Sequence, residues 1–411
     1  MRHFLYRTLF FLLITILIHG CMPRAGKESV PVGPDIRVLI DTIFDQDSLL
    51  FTGDYRLRSE EAEYEFGPRN REVKIRKLSG GIQIFNQNRN LLYRDHSPII
   101  LEPADPDGRF TFRGLTYTGT IILQFNDQNS VYMINLLNIE DYLKGVVPAE
   151  IPSYGEENLQ AVKAQAICAR TYALKKIQEN KGKYFDITAG TMDQVYGSFD
   201  RHTPLADTGV EETRGMVITD QNQLATIYYH STCGGRTEAG ENIFKIEKTP
   251  YLSSLTDAIG DRFACASSPY FRWTETRTID QIDSAFHVRF NRSYLKNQVT
   301  DTTLIRLDAQ ITRRSSSGRV EEMTISLGDT SISLNGYEVR RFLALPPAQF
   351  LKSNLFYIDR YNDSTLVLYG AGFGHGVGLC QFGALEMSRS GFQYYHILHK
   401  YFPTTVLTRK Y

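Results

Sequence analysis

The chain has 411 residues and sets 46 Lys and Arg against 46 Asp and Glu. That length supports a large core divided into two or three structural units, and the balance leaves no global field to attract nucleic acid or an acidic membrane. The expected ligand is therefore neutral or read by local groups, and 24 Phe with 24 Tyr supply aromatic surface able to stack on sugar rings.

At the start, Arg2 and Arg7 precede the apolar run Leu9 to Ile18, which is too short for a membrane span and reads as an export signal. The run ends at Ile18-His19-Gly20-Cys21, and a small residue directly before a cysteine resembles a bacterial lipoprotein cleavage box. Residues 1–21 are accordingly expected to be a signal peptide with Cys21 as the lipidated residue, and 22–35 a polar linker. An uncleaved anchor is the alternative. Both place the body of the protein outside the cytoplasm, facing the periplasm or extracytoplasmic space, attached to a membrane. That compartment permits disulfides, yet Cys168, Cys233, Cys265 and Cys380 are too sparse for a disulfide framework and are judged one by one.

Residues 36–137 form a β-rich region. Ile36 to Ile40, Gly81 to Phe85, Arg109 to Phe112, Thr120 to Phe125 and Val131 to Leu136 are short alternating runs, several of them bounded by turn residues such as Gly114 and Gly119. Residues 138–270 hold the clearest helix. Ser153 and Glu156 have capping-box spacing, and Leu159, Val162, Ala166, Ala169, Ala173 and Ile177 recur on one helical face. Strands are expected at Met216 to Thr219 and Ala225 to Tyr229. Residues 271–411 form a C-terminal region ending in a strand at Leu366 to Tyr369, a glycine loop from Gly370 to Gly378 and a helix from Gln381 to Arg389. The fold class is α+β, with mixed short-strand sheets.

One carboxylate stands in the apolar strip Gly145-Val-Val-Pro-Ala-Glu150-Ile-Pro152, just ahead of the predicted helix. Burial disfavours the charged form and raises a carboxyl pKa, so Glu150 is a candidate proton donor near neutral pH. A helix N-terminus pulls the other way, because its dipole favours the carboxylate. Glu140 and Asp141 follow a β-rich run and read as solvated or structural. His230 and Cys233 have chelating spacing, with Cys265 further along. These three would suit zinc but give only three ligands where a closed structural site takes four. Metal, a Cys233–Cys265 disulfide and free thiols stay open. Cys168 reads as core and Cys380 as a small position after the glycine loop.

Three segments occur in one order. They are Gly145 to Glu150 with Ala164-Gln-Ala-Ile-Cys-Ala-Arg-Thr-Tyr-Ala173, then Tyr229-His-Ser-Thr-Cys-Gly-Gly-Arg-Thr237, then Gly372-Phe-Gly-His-Gly-Val-Gly-Leu-Cys-Gln-Phe-Gly-Ala384. Together they resemble the SpoIID/LytB family of the stage II sporulation protein D and the amidase enhancer, from about Ile36 to the C-terminus and most strongly after Asn138. The resemblance implies action on peptidoglycan. In the sporulation branch this is lytic transglycosylation, which leaves 1,6-anhydro-MurNAc ends and puts the motif glutamate on Glu150. It puts forward Arg170, Tyr172, Gln194, Tyr196, Ser231 and His375 as substrate contacts, but a salt bridge and core packing account equally well for Arg170 and Tyr172, a turn with a half-buried tyrosine for Gln194 and Tyr196, and turn capping better for His375. It implies no cofactor for the chemistry and a structural zinc as the metal option. The alternative it implies is a non-catalytic peptidoglycan-binding protein that stimulates a cell-wall amidase.

Overall fold

The computed structural model describes residues 32–58, 63–67, 71–79, 81–95, 98–290, 306–328, 330–348 and 350–411. The segment expected to be a signal peptide, Cys21 and most of the expected 22–35 linker lie outside them. Gly33–Lys410 forms one compact unit that holds all the elements below. Among the described residues, no helix is long and apolar enough to cross a membrane.

The β-rich half forms two sheets. One has seven strands in the order Ile187–Thr188, Asp35–Ile43, Val131–Asn138, Thr120–Phe125, Ile99–Pro103, Tyr55–Arg58, Glu63–Phe66. The other has six, in the order Leu115–Thr118, Arg109–Phe112, Gln46–Thr52, Glu72–Leu78, Gly81–Asn86, Leu91–Asp95. The five strands predicted in this half all form, because alternation puts one apolar set on the inner face: Ile36 and Val38, Ile82 and Ile84, Phe110 and Phe112, Ile121 and Leu123 are buried.

Eight helices are present among the described residues: α1 Ile139–Glu150, α2 Leu159–Glu179, α3 Pro204–Glu212, α4 Gly240–Ile243, α5 Ile279–Phe290, α6 Gly336–Phe342, α7 Gln381–Arg389 and α8 Tyr394–Tyr401. Helix α2 is the hub, touching α1, α3, α7 and α8. Its start departs from the expected capping box. A short 3-10 turn at Glu156–Asn158 leads into it, and the Ser153 hydroxyl instead accepts from Thr203 at 2.8 Å. The predicted Ala225 to Tyr229 strand shrinks to Tyr229–His230. The Met216–Asp220 strand instead pairs with Gln223–Leu224 and with the C-terminal Val406–Arg409.

Residues 273–368 build a core of their own around Phe286, Phe342 and Leu368. The chain then leaves it: Gly370 to Gly378 leads into Leu379–Cys380, which runs parallel to Tyr229–His230. A Cβ at Gly378, whose φ is +71°, would lie 2.1 Å from the Tyr228 carbonyl oxygen, so only glycine lets the two segments approach. Helices α7 and α8 follow and pack on α2.

Candidate functional site

Glu150 is the last residue of α1, a helix that the run Ile139 to Glu150 does not announce. Asn138 caps it by accepting from the Glu140 N–H at 3.0 Å, and Ile139, Tyr142, Leu143, Val146 and Val147 are buried along it. Pro148 lies inside the helix and removes one internal hydrogen bond; the helix stops two residues later. Gly145 serves packing, since a Cβ there would sit 2.5 Å from the buried Tyr196 ring.

The expected position of Glu150, just before a helix N-terminus, is therefore corrected. It closes α1 and is separated from α2 by Ile151 to Asn158. The dipole at that end is negative and favours the protonated carboxyl, the reverse of the sequence expectation. The half-buried side chain accepts the Val195 N–H at 2.8 Å and hydrogen bonds from Tyr229 and Gln381. Desolvation pushes its carboxyl above the ordinary 4.5 against the pull of those three donors.

Behind Glu150 runs a buried polar relay. Tyr142 Oη donates to Gln194 Oε1 at 3.2 Å, which turns the Gln194 amide to donate to Tyr229 Oη at 3.0 Å. The Tyr229 oxygen thus accepts from the amide and its own proton is aimed at Glu150. Gln381 is braced by Gln165 Oε1 at 3.4 Å. Tyr229 and Gln381 arrive together because the Tyr229–His230 and Leu379–Cys380 strands pair.

The other sequence candidates fall elsewhere. Arg170 is fully buried and bidentate on Glu140, at 2.8 and 2.7 Å, and donates further to the Val210 and Met216 carbonyls. It faces no solvent from which a glycan could reach it. Gln194 is fully buried in the relay, and Tyr196 is buried with its hydroxyl on Asn135 at 3.2 Å. As placed, these three support the site rather than line it. Tyr172 is half-buried and donates to Asp193 at 2.8 Å. Half-buried Ser231 meets Thr232 at 3.2 Å beside the strand pair. His375 caps its own loop by accepting the Val377 N–H at 3.1 Å.

The chelating set also changes. His230 engages the Val377 carbonyl through Nδ1 at 3.0 Å, and burial pushes its imidazole down to about 3. Cys233 and Cys265 meet Cys380 and Asp257 instead, with ligand atoms of all four within 4.8 Å of one another, and His230 is not among them. The zinc set His230, Cys233 and Cys265 thus does not fit as one site. Sequence reading missed Tyr229, Gln381, Cys380 and Asp257. The first three sit inside the quoted motifs, where each motif's contribution of one cysteine or one donor was the available signal; nothing local marked Asp257.

Two segments of the chain match family models, and the first contains Glu150 and Val195. Residues 127–219 match the SpoIID model, described as a stage II sporulation protein, and residues 258–378 match a domain of unknown function (DUF8618). The chain is 29% identical over 307 residues to an uncharacterized protein of Brachyspira hyodysenteriae, covering 74% of each chain. It is 27% identical over 297 residues to the amidase enhancer of Bacillus subtilis, covering 65% of this chain and 40% of that one. Stage II sporulation protein D of Bacillus subtilis is 27% identical over 287 residues, with 66% and 74% covered.

Proposed function

We propose that this chain, which carries a SpoIID domain over residues 127–219, is a lytic transglycosylase of peptidoglycan with Glu150 as general acid and then general base. The observation that carries the reading is the state of Glu150: a half-buried carboxyl raised by desolvation and surrounded by neutral donors, with no cation on it among the described residues. Such a group holds its proton at a pH where an ordinary glutamate has lost it. The relatives named stage II sporulation protein D and amidase enhancer support a cell-wall role.

In the reaction the Glu150 carboxyl gives its proton to the glycosidic oxygen as the bond from MurNAc C1 to that oxygen breaks. The GlcNAc O4 leaves as a hydroxyl. The MurNAc O6 then bonds to C1, and its proton passes to the Glu150 carboxylate, which restores the acid. No water is consumed and no second carboxylate is required, unlike the common two-carboxylate glycosidases. Tyr229, Gln381 and the Val195 N–H stabilise the carboxylate between the two steps. A polar groove lined by Ser153, Tyr154, Arg201, His202 and Thr203 begins three residues after Glu150, and Tyr154, 73% exposed, offers a ring for sugar stacking. The export-signal pattern of residues 1–21 supports a location outside the cytoplasm, with Cys21 as the proposed site of a lipid anchor.

The test is to incubate purified protein with denuded and with peptide-bearing glycan strands and to analyse the products by mass spectrometry. Anhydro-muramyl ends formed by the native chain and absent with Glu150→Gln are expected. The similarity to an amidase enhancer favours a second reading, a non-catalytic glycan binder that stimulates a cell-wall amidase. Intact glycan together with faster stem-peptide release by an added amidase would replace the first reading with the second.

A further inference from the structure

Cys233, Asp257, Cys265 and Cys380 come from four separated stretches of chain, and all four are buried. The cysteines are free thiols. Cys233 Sγ and Cys265 Sγ are 3.5 Å apart, well beyond the roughly 2.05 Å of a disulfide bond. Tetrahedral zinc with Zn–S near 2.3 Å sets its sulfurs about 3.8 Å from one another. The observed spacing is thus that of neighbouring ligands in a tetrahedral shell, and the cluster supplies the four donors that a closed structural site takes.

The surroundings match a thiolate site. The Cys233 N–H points at Cys380 Sγ at 3.2 Å, and the Gly235 N–H at Cys233 Sγ at 3.4 Å. Backbone donors on sulfur spread thiolate charge, and outer partners orient ligands. Asp257 is fixed from both sides, by the Cys265 N–H at 3.0 Å on Oδ2 and by the Tyr401 hydroxyl on Oδ1. Arg319, fully buried, donates to the Cys233 carbonyl at 2.8 Å and sets a positive charge beside a shell whose four anionic ligands outnumber the charge of a divalent ion.

We infer that Cys233, Asp257, Cys265 and Cys380 form a closed structural site for a tetrahedral, thiolate-preferring divalent cation of the zinc class, with His230 outside it. Thiolate-rich tetrahedral sets select zinc over harder divalent ions such as magnesium and calcium. The site clamps the active-site frame. Cys380 directly precedes Gln381, and Cys233 lies four residues after Tyr229, so one ion ties together the two segments that deliver both side-chain donors to Glu150. It acts on the position of Glu150 and takes no part in proton transfer. The inference stands apart from the glycan reading, since its readouts are metal content, thiol reactivity and a ligand-field spectrum.

The test uses the full chain purified without chelator. Elemental analysis is expected to find about one zinc per chain, and differential alkylation to find Cys233, Cys265 and Cys380 blocked until a denaturing chelator is added. Replacing the zinc with cobalt in the native chain should give the visible absorption bands of a tetrahedral thiolate complex, a readout that needs no variant. Cys380→Ser and Asp257→Asn should each weaken zinc retention in competition with a chromophoric chelator by at least 10-fold, while His230→Ala retains it. The inference is overturned if non-reduced peptide mapping joins Cys233 to Cys265, or if the native chain neither retains zinc nor takes up cobalt. It is equally overturned if His230→Ala loses the metal while Cys380→Ser keeps it.

Discussion

The two ends of α1 carry the same residue type in opposite states. Glu140, in the first turn and 1% exposed, faces the positive end of the helix dipole, takes both arms of Arg170 and accepts the Gly215 N–H at 3.3 Å. Glu150, in the last turn, faces the negative end, keeps a solvent-accessible side and, among the described residues, meets only neutral donors. Burial alone does not mark a catalytic carboxylate. A compensated charge ties α1 to α2 and to the turn ahead of Met216, whereas an uncompensated one has a raised pKa and a proton to give.

The contrast can be broken from either end. The largest expected effect is on chemistry: Glu150→Gln should reduce formation of anhydro ends by about 100- to 10,000-fold, the usual range for removing a general acid–base group, while the unfolding midpoint stays near the native value. A similar loss of stability would move Glu150 into the class of Glu140. Next comes the framework end. Arg170→Ala leaves the Glu140 carboxylate buried without its cation and should cost about 3–5 kcal/mol in denaturant unfolding, with activity falling only as the folded fraction falls. A neutral outcome for stability would show that the pair is not holding the helices.

The third effect sharpens the contrast through pH. Because Glu150 must be protonated to begin the reaction, kcat/KM on glycan should decline on the alkaline side, with its midpoint above 4.5 as the raised pKa requires. Tyr229→Phe removes a donor that favours the carboxylate, so that limb should move upward by about one pH unit, the size of one hydrogen bond to a charged group. A downward shift would refute the placement of the Tyr229 proton on Glu150. The smallest effect lies midway along the helix. Gly145→Ala drives a methyl into the Tyr196 ring and should cost about 1–3 kcal/mol of stability without moving the pH profile.

Much of the β-rich half was legible, because alternation with a period of two specifies which face is buried wherever one face meets a core. Helix α2 was legible for the same reason at a period of 3.6, and helix α7 from its place after the glycine loop. Helix α1 was not. Its residues include Gly145, Pro148 and two valines, poor helix formers in isolation, and the helix exists because Asn138 caps it and Tyr142, Leu143 and Val146 pack inward. That one omission reversed the expected dipole at Glu150.

The site shows the same division. The apolar strip singles out Glu150 as a carboxyl with a raised pKa, and desolvation does raise it, since an acid in such a strip loses solvation on burial. Arg170, Gln194 and Tyr196 match family motifs but lie buried behind the site, in the ion-pair and packing roles their residue types equally allow, because a motif records which residues occur together and not which of them face outward. His230 had chelating spacing with Cys233 along the chain, but the strand pair turns its ring to the Val377 carbonyl.

By itself, the sequence determined the α+β class, the sheet faces, the length of α2 and the chemical candidate Glu150, because these rest on local periodicity and on the solvation of single side chains. Only the tertiary structure decided that Glu150 closes a helix, that Tyr229 and Gln381 converge on it, and that Asp257 and Cys380 join Cys233 and Cys265. The last two depend on the segments around Tyr229 and Gln381, more than 140 residues apart in the chain, meeting at ångström distances, and no local pattern encodes such distances.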